Sequence, residues 1–260
     1  MKLKNRTVLI TGGTSGIGLE FVKQLTGQGA NIIVTGRNPE ALYKIKHQFP
    51  DVHTFQSDVS KAQDIEALYK DVTKQFPELS ILINNAGIMR QIDLQDSSLN
   101  LEDINREIAT NLTGIIQMNH RFLPHLLTQK SAAIINVTSS IAFLPYSITP
   151  IYSASKAGAH AYTKALRLQL ENTNVKVMEV LPPGVKTNLQ KGWELPPPEE
   201  RMMEADKMVS DVINGILKDR QEITPGLARV IKVLSRLIPN SLISFGHGEF
   251  KKLKQLKNKK

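Results

Sequence analysis

Short, continuous apolar runs alternate along this chain with longer segments whose apolar residues recur at helical spacing. Residues 7–10 form the first run. Leu19, Phe21, Val22 and Leu25 then share one helical face, and Gly27 and Gly29 end that helix. Residues 31–35 form a second run, after which Asn38-Pro39 opens a helix, proline suiting a first-turn position. A third run, 52–56, leads through Asp58 to a helix ending near Phe76. The fourth, 79–83, stops at Asn84-Asn85-Ala86-Gly87, and a long helix is predicted over 101–127. Runs five and six, 132–137 and 175–180, bracket another long helix that opens at Tyr152. These runs are apolar throughout rather than alternating, as expected of strands covered on both faces. The pattern predicts an α/β fold: a doubly wound parallel sheet of about seven strands, helices on both faces, in one domain over residues 1–250.

Two segments break the alternation. Residues 188–201 carry Pro196-Pro197-Pro198 followed by Glu199 and Glu200, a loop feeding a short helix. Residues 226–238 form an amphipathic helix, with Leu227, Val230, Ile231, Leu234 and Leu237 on one face and Arg229, Lys232 and Arg236 on another.

Composition narrows the class. The 260 residues are 41% hydrophobic and 22% charged, ordinary for a soluble globular protein. The absence of cysteine excludes disulfides, thiolate metal sites and thiol catalysis. With no apolar run ahead of the first glycines and none long enough to span a bilayer, a cytoplasmic protein without a signal peptide is expected. Six lysines and no acid lie in 251–260, so 9 − 6 = +3 remains for the rest of the chain. A nearly neutral body argues against a nucleic-acid partner. The tail and the amphipathic helix carry two readings: a helix packed on the body followed by a disordered soluble tail, or weak peripheral contact with an anionic membrane through the tail. The first is preferred.

Candidate chemistry sits at the ends of the apolar runs. Gly12, Gly16 and Gly18 follow the first run and precede a helix, where backbone N–H groups can meet a pyrophosphate. After the second run, where an acid would hold the ribose 2′-hydroxyl of NAD, stand Gly36 and Arg37, and a guanidinium there favours a 2′-phosphate. Asp58 has two readings, acceptor for an adenine amino group or cap of the next helix. Tyr152 and Lys156, four apart on a helix, form a pair able to move a proton near neutral pH. His47, His53, His120, His125, His160 and His247 show no metal-ligand spacing, so no metal is expected.

Taken together, Thr11-Gly-Gly-Thr-Ser-Gly-Ile-Gly18, Asn84-Asn-Ala-Gly87, Ser139, Tyr152-x-x-x-Lys156 and Pro182…Thr187 resemble the short-chain dehydrogenase/reductase family over about residues 5–190. The stretches Asn84 to Met89, Glu107 to Leu112 and Glu222 to Gly226 are similar to a subgroup of small bacterial oxidoreductases associated with teichoic-acid D-alanylation operons. The resemblance implies a Rossmann-like NADP(H)-dependent oxidoreductase, with NAD(H) as the alternative cofactor, interconverting a secondary alcohol and its carbonyl. It implies Tyr152 as general acid/base, Lys156 lowering the tyrosine pKa and holding the nicotinamide ribose, and Ser139, thirteen before the tyrosine, polarising the substrate oxygen; Ser140 is the minor alternative. It implies Asn111 kinking its long helix and holding a water linked to Lys156. The implied cofactor contacts are Gly12, Thr14, Ser15, Gly16, Ile17, Gly18, Arg37, Asn38, Asp58, Val59, Asn85, Ala86, Gly87, Tyr152, Lys156, Pro182, Gly184, Val185 and Thr187. Pro183 departs from the family glycine and lacks an N–H, and Ser15 replaces a basic residue common in NADP members. Residues 188–208 correspond to a substrate lid, with Trp193, Leu195, Met202 and Met203 as candidate walls for an apolar carbonyl substrate. A homodimer or homotetramer through the helices near 101–127 and 151–172 is expected. The alternative from another class is an NADP(H)-binding sensor or regulatory scaffold with little turnover.

Overall fold

The computed structural model describes residues 1–257. The strands are β1 (Thr7–Thr11), β2 (Asn31–Gly36), β3 (His53–Gln56), β4 (Leu79–Asn84), β5 (Ala132–Val137), β6 (Val175–Val180) and β7 (Glu222–Ile223). They form one parallel sheet in the order β3-β2-β1-β4-β5-β6-β7. The order reverses between β1 and β4, and the crevice at that switch point is where such sheets bind ligands. The helices are α1 (Gly16–Gly27), α2 (Pro39–Gln48), α3 (Ala62–Gln75), α4 (Leu101–Ile108), α5 (Gly114–Thr128), α6 (Pro150–Gln169), α7 (Ala205–Leu217), α8 (Ala228–Leu237) and α9 (Pro239–Lys257).

Period-two side-chain alternation splits the strand residues between two cores. Val8, Ile10, Ile32, Val34 and Ile81 face Phe21, Val22 and Leu25 of α1, Leu42 and Ile45 of α2, and Val212 and Ile216 of α7. Leu9, Ile33, Leu82 and Ile134 face Ile65 and Leu68 of α3, Met118 and Phe122 of α5, and Leu166 of α6. Both cores are apolar, which fixes the register of the strands and therefore the places where they end.

The kink implied at Asn111 is present, and two other expectations change. The helix predicted over 101–127 is interrupted by a π-helical turn, Ala109–Thr113, with Asn111 at its centre. Such turns bulge a helix and commonly mark functional sites. The tail is not disordered through residue 257: α9 crosses residue 250, Leu253 is buried, and the Lys254 ammonium lies 2.7 Å from Asp93 and 2.8 Å from Gln95 Oε1. Residues 258–260 of that tail lie outside the described residues. Finally, the apolar face of α8 is split: Ile231 and Leu234 are half-buried, whereas Leu227, Val230 and Leu237 are exposed.

Candidate active site

At the end of β1 the chain makes a turn that side chains would block. Gly12 and Gly16 have φ of +66° and +53°, where an L side chain is strained. A Cβ on Gly18 would lie 2.2 Å from the Gly12 carbonyl oxygen. The end of β4 holds this turn in place. Asn85 Nδ2 donates to the carbonyls of Thr11 and Gly12 at 3.0 and 3.2 Å, and Thr11 Oγ1 accepts from the N–H groups of Asn85 and Ala86, both at 3.0 Å. Ser15 sits at the N-cap of α1 but its side chain makes no capping bond. The first-turn N–H groups are thus presented to a cavity, an arrangement suited to a phosphate.

Arg37 follows β2 directly and is exposed, its carbonyl accepting from Gln56 Nε2 at 3.1 Å. Asn38 caps α2 instead of facing the cavity: its Oδ1 accepts from the N–H groups of Glu40 and Ala41 at 2.8 and 3.2 Å. Asp58 neither caps α3 directly nor stands free. Its carboxylate accepts from Ser60 N–H and Oγ at 2.9 and 2.7 Å, ordering the turn that precedes α3, while its own N–H donates to Asp64.

The proton-handling residues meet where β5 ends and α6 begins. Tyr152 is nearly buried, and the Ser139 hydroxyl acts on its phenol, drawing the phenol pKa down against the effect of burial. Ser139 is itself fixed by Ile141 N–H, which donates to its Oγ at 3.2 Å. Ser140, the alternative, turns its N–H to the Pro182 carbonyl at 2.8 Å. Lys156 is only 3% exposed, and its ammonium donates to the Val137 carbonyl at 2.9 Å. It lies 5.7 Å from the Tyr152 ring centre.

Burial pushes the Tyr152 phenol up to about 12, the Ser139 hydroxyl opposes this, and the Glu107 charge adds to it. The Lys156 ammonium is held on the Val137 carbonyl. Its own pKa falls to about 8 by burial, resisted by the charge of Glu179. Asn111 lies at the π-helical turn, where the resemblance implied a kink. It is fully buried and off the cavity wall, with Oδ1 accepting from Ile88 N–H and Nδ2 donating to the Ile88 carbonyl, both at 2.9 Å, and to Ser155 Oγ at 3.1 Å. Its side chain joins the segment after β4 to α6.

Sequence reasoning passed over His160 and Glu179. Tyr152, Lys156 and His160 recur every fourth residue, one stripe along α6. His160 Nδ1 lies 2.8 and 2.9 Å from the two carboxylate oxygens of Glu179, which is fully buried in β6 and also accepts from Thr138 Oγ1 at 2.6 Å. A lone acid inside the apolar run 175–180 was the available signal, because buried charges persist only where they are paired.

Apart from Asn38 and Asn111, every residue singled out above for catalysis or cofactor contact lines one cavity of about 690 Å³. Its far end is walled by Met89, Ile141, Leu144, Tyr146, Trp193 and Ile231. Of the four lid candidates only Trp193 reaches it, with Leu189 and Pro197 beside it; Leu195, Met202 and Met203 do not. Met203 instead packs on the core beneath, pairing with Gly184 and Lys186. Arg90 and Arg106 also reach the wall, but both are paired: Arg90 with Asp103 at 2.6 Å and Glu107 at 3.2 Å, Arg106 with Asp103 at 2.9 Å. No cluster of residues suited to a metal ion occurs among the described residues.

The sequence and the fold are similar to those of known proteins. Residues 6–196 match the short chain dehydrogenase family. The uncharacterized oxidoreductase DltE of Bacillus subtilis is 40% identical over 225 residues, which cover 86% of this chain and 89% of that protein. Among solved structures, a short chain dehydrogenase of Burkholderia cenocepacia in complex with NADP superposes with a TM-score of 0.81 at 24% identity, covering 94% of this chain and 98% of that one. A Burkholderia phymatum short chain dehydrogenase/reductase in complex with NAD gives 0.79 at 21%, covering 89% and 93%. With the motifs in place on the fold and the match spanning most of the chain, this protein belongs to the short-chain dehydrogenase/reductase family of oxidoreductases.

Proposed function

We propose that the protein is an NADP(H)-dependent oxidoreductase that interconverts an apolar carbonyl compound and its secondary alcohol, with Tyr152 as the general acid/base. The observation that carries this is the presence of the Ser139 and Tyr152 hydroxyls on the wall of a cavity whose other end is a glycine turn at a helix N-terminus. The residues present fit a dinucleotide: the glycine turn and the first turn of α1 would hold the pyrophosphate, Arg37 a 2′-phosphate, and Lys156 the nicotinamide ribose. When bound, the nicotinamide supplies or accepts the hydride.

The protein's own part follows from its hydroxyls. Two donors aimed at one place stabilise the negative charge that builds on a carbonyl oxygen as it is reduced. A phenol pushed up to about 12 keeps its proton at neutral pH. Tyr152 thus carries the proton that a reduced carbonyl oxygen would take up. The charged groups at the far end are already paired within the protein, leaving Ile141, Leu144, Trp193 and Ile231 as the surface a substrate would meet. That supports an apolar substrate. A sensor without turnover would not require the Ser139–Tyr152 pair. Assembly as a homodimer or homotetramer through α5 and α6 is part of the same reading, supported by exposed Ile116, Leu127 and Leu168; a monomeric mass by light scattering would remove that part.

The test is NADPH oxidation with a panel of apolar and charged ketones and aldehydes, NADH run in parallel. Tyr152→Phe is expected to lower kcat by roughly 10²–10⁴ while NADPH binding is retained. Full turnover by that variant would overturn the mechanism. Equal turnover of charged and apolar carbonyls would overturn the substrate class.

A further inference from the structure

We infer that the outward face of α8, continued into the start of α9, is a docking surface for an anionic lipid bilayer. Inward contacts of α8 are few. Ala228 is fully buried, Ile231 forms part of the cavity wall, and Lys232 is ion-paired with Glu222 of β7. On the other side Leu227, Val230, Val233 and Leu237 are 61%, 50%, 53% and 71% exposed, and Ile238 and Ile243 extend the stripe at 46% and 40%. Six of the 14 exposed large apolar side chains among the described residues thus fall within residues 227–243, where even scattering would leave about one.

The charge of this segment selects its partner. Between Ile223 and Gly248 there is no aspartate or glutamate. Arg229 and Arg236, seven apart and therefore on one flank of the helix, are both exposed. A second copy of the chain packed on this face about a two-fold axis would bring these arginines together with no acid on the face to balance them. A layer of anionic headgroups supplies that balance, while the leucines and valines enter the acyl boundary. An interfacial helix combines these two features, an apolar stripe and a basic flank. No described helix is long and apolar enough to cross a membrane, so the contact is one of lying on the surface. Because Ile231 on the inner side of α8 helps to wall the cavity, such docking would set the bilayer beside it.

Flotation of the purified full-length protein tests this without any need for turnover. Vesicles of equimolar phosphatidylglycerol and phosphatidylcholine are compared with phosphatidylcholine alone. The protein is expected to float with the anionic vesicles only, and less so as salt is raised. Combined Arg229→Gln and Arg236→Gln should weaken binding by about 30-fold, from roughly 1 kcal/mol per basic residue near such a surface. Combined Leu227→Ser, Val230→Ser and Leu237→Ser should abolish it. These side chains point outward, so far-UV circular dichroism and NADPH binding should be unchanged in both variants, separating loss of docking from loss of fold. Failure of the parent protein to float at low salt would overturn the inference, as would serine variants that float as well as the parent. Conversion of an oligomeric parent to a monomer by the serine substitutions, with no vesicle binding by the parent, would assign the face to a second copy instead.

Discussion

Replacing Lys156 with methionine isolates the cost of a buried ammonium. Lys156 is 3% exposed, and burial lowers its pKa from 10.5 to about 8. A fall of that size corresponds to about 3 kcal/mol, at roughly 1.4 kcal/mol for each pH unit. The unfolded chain keeps this proton up to pH 10.5, the folded chain only to about pH 8. Between those values the unfolded state binds more protons, so stability rises with pH across the window. Below pH 8 both states are protonated and the whole penalty is present. Methionine keeps the length of the stem and removes the charge. It also removes the bond to the Val137 carbonyl, a contribution of about 1 kcal/mol. The cofactor-free variant should therefore be more stable at neutral pH by about 2 kcal/mol, a rise in Tm of roughly 4–8 °C for a chain of this size. The gain should shrink above pH 8 and be gone by pH 10.5. Thermal melts of both proteins across that range, followed by circular dichroism, give the comparison. A variant that melts at or below the parent temperature at neutral pH would refute the reasoning. The same substitution should abolish turnover, as expected where a functional group is held against its own stability.

Three further perturbations address other parts of the site. Gly18→Ala places a Cβ 2.2 Å from the Gly12 carbonyl oxygen and 2.6 Å from Asn85 Nδ2, so a stability loss of about 1–3 kcal/mol and at least tenfold weaker NADPH binding are expected. Gly27→Ala, with nothing within 4 Å, is the control and should bind NADPH normally in a fluorescence titration. Arg37→Ser should raise the Kd for NADPH by about 10–100-fold, the value of a charge-assisted contact, and leave NADH nearly unchanged; equal loss for both cofactors would remove Arg37 from 2′-phosphate recognition. Glu179→Gln removes the charge that holds the Lys156 pKa up, so a ¹³C lysine titration should place Lys156 below about 8, and an unchanged value would disconnect the two groups.

The sequence made the fold legible where burial is two-sided. Continuous runs such as 79–83 and 132–137 leave little choice but central parallel strands, and the glycines at their ends mark the crevice. It was silent on β7, a two-residue strand carrying a glutamate and too short for any periodic signal. Helical spacing located Tyr152, Lys156 and, in hindsight, His160, but spacing fixes only which face a residue shares. It does not say that the phenol and the Lys156 ammonium are both buried, and burial sets the signs of both pKa shifts. The same limit governs α8. An amphipathic pattern establishes that an apolar stripe exists and that something other than water suits it. Which side of the helix meets the body depends on partners remote in sequence, here Glu222 drawing Lys232 inward and the cavity accepting Ile231. Once those two contacts are made, the helical period leaves Val230, Val233 and Leu237 on the outside. The pairing that anchors α8 is thus what exposes them, and a sequence with an apolar residue in place of Lys232 would be free to turn the stripe inward.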